Sequence, residues 1–352
     1  MNSETQTLPQ FTLQELGWKP FFQQQLTLEQ WDSLAARVTV VHRNRLVLQS
    51  ERGQLDLPLL PAMPAFAVGD WLLLDAEGQY IEQLERQSLF RRRAAGPGVN
   101  EQLIAANVDT LFIVTSCNED FNLNRLERYL ALAHEAEVDP VVVLTKMDLH
   151  PDPDTLLRDV QRLDPMLMVL AVNALNHDSV QALAPWCGRG KTVALMGSSG
   201  VGKSTLINTL LGEQAQSTGA IREDDSKGRH TTTGRSLHLM VHGGLLLDTP
   251  GMRELQLTDC EQGVNEVFAE ITQLAERCRF ADCQHDSEPG CAIQAAIASG
   301  ELSERRLNSY QKLMREQAHN TATLAEKRSR DKAFAKHCQS VQSHHRKMKG
   351  NR

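Results

Sequence analysis

Residues Gly197-Ser198-Ser199-Gly200-Val201-Gly202-Lys203-Ser204 fit G-x-x-x-x-G-K-[ST] in full, and no other segment constrains the fold as tightly. The apolar run Val193–Met196 precedes the loop and the helix-compatible Thr205–Leu211 follows it. That is the strand–loop–helix context the pattern requires. Glycines let successive N–H groups turn inward around phosphate oxygens, and the helix start behind them adds a positive dipole end. Lys203 is expected to reach the β- and γ-phosphates as a catalytic cation. Ser204 is expected to ligate Mg²⁺, with Thr205 in the same phosphate-facing turn.

Such a loop belongs to a doubly wound α/β sheet, and the chain alternates strand and helix from about Ala105 to Leu257. The strand candidates are Thr110–Thr115, Val141–Leu144, Leu167–Val172, Thr192–Met196, Leu237–Val241 and Leu245–Leu247. Leu126, Tyr129, Leu130 and Ala133 recur at helical spacing after the first of these.

Thr145-Lys146-Met147-Asp148 follows the Val141–Leu144 strand and resembles N-K-x-D, with Thr in the first place. A carboxylate at Asp148 can accept from guanine N1–H and its exocyclic amine. Adenine offers no such donor pair, so GTP and GDP are favoured over ATP. The stem of Lys146 would cover the base. Asn173-Ala174 stands where an S-A pair would offer the Ala N–H to guanine O6. These guanine motifs precede Lys203, the reverse of the commoner order, so the GTPase domain is circularly permuted. A compact domain tolerates this when its natural ends lie close together.

Asp248-Thr249-Pro250-Gly251 matches D-x-x-G, with Asp248 expected to hold Mg²⁺ through water and Gly251 to meet the γ-phosphate. Gly228-Arg229-His230-Thr231-Thr232-Thr233 occupies the place of the first switch, where one threonine, Thr231 and Thr232 among them, would ligate Mg²⁺. Met252 stands where many GTPases carry a water-orienting Gln. His230 is the local candidate to take that role; contact with the loop or a partner is the other reading.

Cys278-x4-Cys283-x-His285-x5-Cys291 supplies three thiols and an imidazole, the donor set of a closed, structural Zn²⁺ site, one per chain. Cys117, Cys187, Cys260 and Cys338 show no such clustering. Val264, Val267, Phe268, Ile271 and Leu274 form a helical pattern ahead of the cluster, and Leu307, Tyr310 and Met314 another behind it.

Ahead of the sheet, five short strand-like runs between Arg37 and Leu84 fit an OB-type barrel, a common nucleic-acid module. Arg86 and Arg91–Arg93 follow, then a linker candidate, Gly96-Pro97-Gly98. Trp18, Phe21, Phe22 and Trp31 mark a short aromatic-packed N-terminal extension. The net charge of −7 is uneven: Glu301–Arg352 carries 13 Lys and Arg against 5 Asp and Glu, leaving −15 for the rest. A tail of +8 suits RNA, or is simply a solvated helical face. No apolar run approaches the ~18 residues of a membrane helix, and Met1–Gln10 has no signal pattern. A cytoplasmic, monomeric protein without membrane contact is expected.

The sequence of barrel, T-K-M-D, GSSGVGKS, GRHTTT, DTPG and Cys-Cys-His-Cys, over roughly residues 36–300, resembles the circularly permuted GTPases of the RsgA (YjeQ) family. The resemblance implies a multidomain α/β protein: an N-terminal extension (1–35), an OB-type barrel (36–98), a permuted P-loop GTPase domain (99–259) and a helical zinc-binding domain with a basic tail (260–352). It implies action in late maturation of the small ribosomal subunit, contact with that subunit and its 16S rRNA, and subunit-stimulated GTP hydrolysis. That family also carries a hydrophobic residue at the place of Met252. Thr145, Asn173 and the extension with Trp18 depart from its pattern and point to a divergent paralogue. Two other functions fit the same residues: an RNA-binding module with a weakly hydrolysing guanine-nucleotide site, and a GTPase of translation or RNA modification.

Overall fold

The computed structural model describes residues 11–93, 101–118, 120–212, 236–248, 252, 255 and 260–321. Gly96–Gly98, His230, Thr231, Thr232, Gly251, Cys338 and the basic tail after residue 321 lie outside the described residues.

The N-terminal strands are β1 (Leu34–Val41), β2 (Arg45–Ser50), β3 (Gly53–Pro58), β4 (Trp71–Leu74) and β5 (Tyr80–Gln83). They form one antiparallel sheet in the order β3-β2-β1-β4-β5, the OB-type arrangement expected. Alternation sends Val38, Leu46, Leu48, Leu57, Leu72 and Leu74 into one core. It sends Ala35, Trp71 and Leu73 to the opposite face. All four residues of β4 are nevertheless buried, so that second face needs a cover. The N-terminal extension supplies it: Leu16 and Phe22 pack there, and Trp18 meets Trp71 edge-on at 4.8 Å between ring centroids.

A hairpin not anticipated from the sequence follows. β6 (Leu89–Arg93) pairs antiparallel with β7 (Glu101–Ala106), so the Arg91–Arg93 run is strand, and the Gly96–Gly98 segment lies between its two arms.

β8 (Thr110–Ser116), β9 (Asp139–Thr145), β10 (Met168–Ala171), β11 (Thr192–Met196), β12 (Ser236–Leu239) and β13 (Leu245–Asp248) make a six-stranded sheet. Its order is β10-β9-β8-β11-β13-β12, parallel throughout except at β12. Both β8 and β11 are buried along their whole length, as central strands covered on both faces must be. Helix Lys203–Leu211 and the Val180–Leu183 turn pack on one face. Helix Leu123–Glu135 packs on the other, beneath the C-terminal helices Glu261–Val267, Ala269–Ala275, Ala292–Ser299 and Glu304–Thr321. Gly263 makes that stacking possible: a Cβ there would sit 2.1 Å from the Ala131 carbonyl oxygen.

Arg37 joins the three N-terminal units. Its side chain is enclosed, donating to the Leu16 carbonyl of the extension (2.6 Å), Thr192 Oγ1 at the start of β11 (2.9 Å) and the Asn107 carbonyl (3.0 Å). Burial lowers its pKa to about 10, against the pull of Asp109 and Asp70, so it stays charged at neutral pH. Arg37→Met keeps most of the volume and removes the donor shared by Leu16, Asn107 and Thr192. Unfolding free energy should fall by about 1–3 kcal/mol, the cost of leaving a buried acceptor unpaired, read as a lower urea midpoint; an unchanged midpoint would show that these contacts do not hold the units together.

Candidate functional site

Strand order reverses between β8 and β11, because β9 and β10 extend one way and β13 and β12 the other. A crevice opens at the carboxyl ends of the strands at such a point, and ligands of doubly wound sheets bind there. The residues singled out in the sequence converge on this edge. Gly197–Gly202 follow β11, Thr145–Asp148 end β9, Asn173-Ala174 follow β10, and Asp248 ends β13.

The phosphate loop has the backbone its glycines allow. Gly200 (φ 80°) and Gly202 (φ 98°) lie in the left-handed region, and a Cβ on Gly197 would approach the Val114 carbonyl oxygen to 2.2 Å. Gly202 opens helix Lys203–Leu211, which aims its first N–H groups into the loop. Val201 is buried and pins the loop to the core, while Ser199, Gly200 and Ser204 are exposed and Thr205 half-buried. Lys203 is buried, its Nζ donating to the Gly197 carbonyl at 2.8 Å and to that of Ser198. The loop thus brings an ammonium within reach of its own carbonyls beside the start of a helix, donors of the kind that suit phosphate oxygens.

The guanine motif touches this loop. Lys146 adopts φ 57° and ψ 33°, and its Nζ donates to the Gly200 carbonyl at 2.8 Å. Thr145 is fully buried, and its hydroxyl lies 3.2 Å from the Thr115 carbonyl and closer still to that of Val201. The Thr side chain thus ties β8, β9 and the loop together. It carries one hydrogen for two acceptors, where an Asn amide would carry two. Asp148 stands exposed in the turn Met147–Leu149. Ala174 is buried; its carbonyl accepts from Thr209 Oγ1 at 3.0 Å, which fixes this turn to the phosphate-loop helix. Asn173 caps the same turn, its Oδ1 accepting from the Leu175 N–H at 3.0 Å.

Met252 is buried in the core beside the C-terminal helices, 2% exposed. The site also contains a residue the sequence did not single out. Arg125, on the helix after β8, places Nη1 2.6 Å from Ser198 Oγ. Nothing in the spacing of helix charges marks it; only the fold brings it to the loop.

Away from this crevice, Cys278, Cys283, His285 and Cys291 converge, their donor atoms within 4.8 Å of one another. Sγ of Cys278 and of Cys291 each lie 3.6 Å from His285 Nδ1 and 3.9 Å from one another. A tetrahedral ion with Zn–S arms of about 2.3 Å and Zn–N of about 2.0 Å has edges of about 3.8 and 3.5 Å. The three edges among Cys278, Cys291 and His285 match that ion, and Cys283 lies within 4.8 Å of the others. Burial opposes ionisation of Cys278, but the Ala292 and Ile293 N–H groups at a helix start hold its thiol below its ordinary range. Burial and the neighbouring Cys291 and Cys278 push the Cys283 thiol up to about 11, so the positive charge of an ion is needed to hold the whole set as thiolates.

Comparison with known proteins agrees with this geometry. Residues 83–258 match the family model described as RsgA GTPase. The chain is 59% identical over 336 residues to "Small ribosomal subunit biogenesis GTPase RsgA 2" of Vibrio parahaemolyticus, covering 95% of this chain and 94% of that protein. It is 51% identical to "Small ribosomal subunit biogenesis GTPase RsgA" of Mesorhizobium japonicum, covering 88% and 91%. Among solved structures, YjeQ from Thermotoga maritima superposes with a TM-score of 0.60 at 25% identity, over 81% of this chain and 98% of that one. YloQ, described as a circularly permuted GTPase, gives 0.57 at 23% identity over 84% and 99%, a likeness of fold. Motif order, sheet topology and these matches together show that the chain belongs to the RsgA GTPase family and is a GTPase.

Proposed function

We propose that this GTPase serves late maturation of the small ribosomal subunit in the cytoplasm, acting as a monomer that binds the subunit through its 16S rRNA. The observation that carries the reading is the match, over nearly the whole of both chains, to relatives named for small-subunit biogenesis. Two of those relatives carry the designation "RsgA 2", which supports the view of this chain as a paralogue. The barrel (36–98), the Arg91–Arg93 strand and the basic tail would face RNA phosphates, whose neutralisation makes binding salt-sensitive.

At the nucleotide site, Asp148 accepts from the guanine N1–H and amine, Lys146 covers the base, and the Ala174 N–H meets O6. Asn173 shapes that turn. The loop N–H groups from Ser198 to Thr205 and the Lys203 ammonium hold the β- and γ-phosphates, and the Gly251 N–H meets the γ-phosphate. Ser204, Asp248 and a first-switch threonine, Thr231 or Thr232, would hold Mg²⁺, which when bound neutralises phosphate charge. The attacking water lacks an orienting group at Met252, and His230 takes that part when the subunit orders the first switch. Cys278, Cys283, His285 and Cys291 hold structural Zn²⁺, with no open position for chemistry. The chain leaves Asp248–Gly251 and reaches the zinc domain within about thirty residues, so movement of the second switch can reorient that domain.

Asp148→Asn should lower GTP affinity by about 10- to 100-fold, the loss of hydrogen bonds to a charged acceptor. It should raise affinity for xanthosine triphosphate, whose C2 carbonyl accepts from the new amide. Titration of both nucleotides checks this; undiminished GTP binding would remove Asp148 from the base site. Elemental analysis should find about one Zn²⁺ per chain, and Cys283→Ser should lose it together with C-terminal structure while retaining GDP binding. A fully folded, metal-free protein would end the zinc assignment. Small subunits should raise kcat by about tenfold or more, and His230→Ala should abolish the stimulation with GTP affinity kept. Absence of stimulation at every salt concentration would overturn the ribosomal role, and stimulation surviving in His230→Ala would overturn only the catalytic one.

A further inference from the structure

Arg125 lies in the first turn of helix Leu123–Glu135, which Asn122 caps. Its guanidinium is held at 2.8 Å by Asp120 Oδ2 and reaches Ser198 Oγ at 2.6 Å. Ser198 is the second residue of the phosphate loop, and its carbonyl is also an acceptor for Lys203 Nζ. One loop residue is thus gripped twice: through its side chain by Arg125 and through its main chain by the lysine that serves the phosphates.

The rest of the same helix faces the C-terminal helices. Glu127 is fully buried, its carboxylate accepting from Arg306 Nη1 at 2.8 Å, from Arg305 Nη2 at 2.9 Å and from the Ser309 hydroxyl. Arg305 also donates to Asn124 Oδ1 at 2.7 Å, one residue before Arg125. Arg128 pairs with Glu316 at 2.5 Å, and Glu135 accepts from the Gly263 N–H at 3.0 Å. Arg306 is fixed in turn by Glu270 at 2.6 Å and lies 4.2 Å over the Phe268 ring. A buried carboxylate separated from its partners is strongly unfavourable, so helix Leu123–Glu135 must follow helix Glu304–Thr321 when that helix shifts. Its hydrogen-bonded backbone carries the shift to its first turn.

We infer that helix Leu123–Glu135 couples the C-terminal helix to the phosphate loop, with Arg125 as the positioning residue that passes the shift to Ser198. This route is separate from the one through Asp248–Gly251. It rests on Gly197–Ser204 being the phosphate loop. Its consequence is that whatever engages the C-terminal helix changes how tightly the loop holds nucleotide, and nucleotide changes the C-terminal helix by the same factor.

The test is a double-mutant cycle in the full-length protein, read by release of a fluorescent GDP analogue. Arg305→Ala leaves Glu127 with Arg306 and Ser309, and Glu316→Gln is a second, milder disturbance of the same contact face. Each should change GDP release by about fivefold, measured at a temperature where the folded fraction of every variant matches that of the unaltered protein. Each effect should fall below about twofold when Arg125 is replaced by Ala, and return in part with Arg125→Lys. Equal effects with and without Arg125, or no effect from either C-terminal variant, would overturn the coupling. Full GDP binding by Lys203→Ala would instead overturn the phosphate-loop assignment, which separates the two failures.

Discussion

The parallel pairing of β8 with β11 is the constraint on which the rest depends. Val193 to Met196 lie against Thr110 to Ile113, in strands with no exposed face. Eighty-odd residues separate the two in the chain, yet they are neighbours at the centre of the sheet. Because they run parallel, both carboxyl ends point to one edge, and every loop of the site must emerge there. The order in which the chain visits the strands does not alter that edge. A permuted chain can therefore assemble the same site, with β9 and β10 placed before β11 and β12 and β13 after it.

Charged side chains then fix the attachments at both ends of this pair. At the amino end, Arg37 and the exchange of backbone and carboxylate bonds between Asp109 and Thr192 join barrel, extension and sheet. At the carboxyl end, Arg125 and Lys203 hold Ser198. Beneath the sheet, Glu127 and its two arginines seat the C-terminal helices. Arg37 and Glu127 are costly to separate from their partners once desolvated, so they make the relative placement of the units specific.

Two residues that look like defects in the sequence are explained by their surroundings. Thr145 replaces an amide but still ties the β9 end to the phosphate loop, sharing one hydroxyl proton between two carbonyls. Met252 replaces a polar water-orienting residue and is buried with Leu255 in the core shared with the C-terminal helices. Its side chain serves packing.

The sequence by itself determined the family and the local motifs that converge at the crevice. The phosphate loop, Thr145–Asp148 and the Cys–His spacing are local patterns, because each motif's donors come from a few adjacent residues on one turn. The six sheet strands were legible for the same reason, as apolar runs bounded by turns, and the barrel strands as partial alternation. The β6–β7 hairpin was not, because its first arm is Leu-Phe-Arg-Arg-Arg and its pairing is set by the partner strand. Nor was the reason for the N-terminal extension, which lies in the second buried face of β4. Arg37, Arg125 and Glu127 were invisible as functional residues, since a charge in a sequence does not say whether it meets water or a partner. Their partners lie 155, 73 and 178 residues away, and only tertiary packing turned those charges into fixed contacts, by removing water around Arg37 and Glu127 and by bringing Arg125 to the loop.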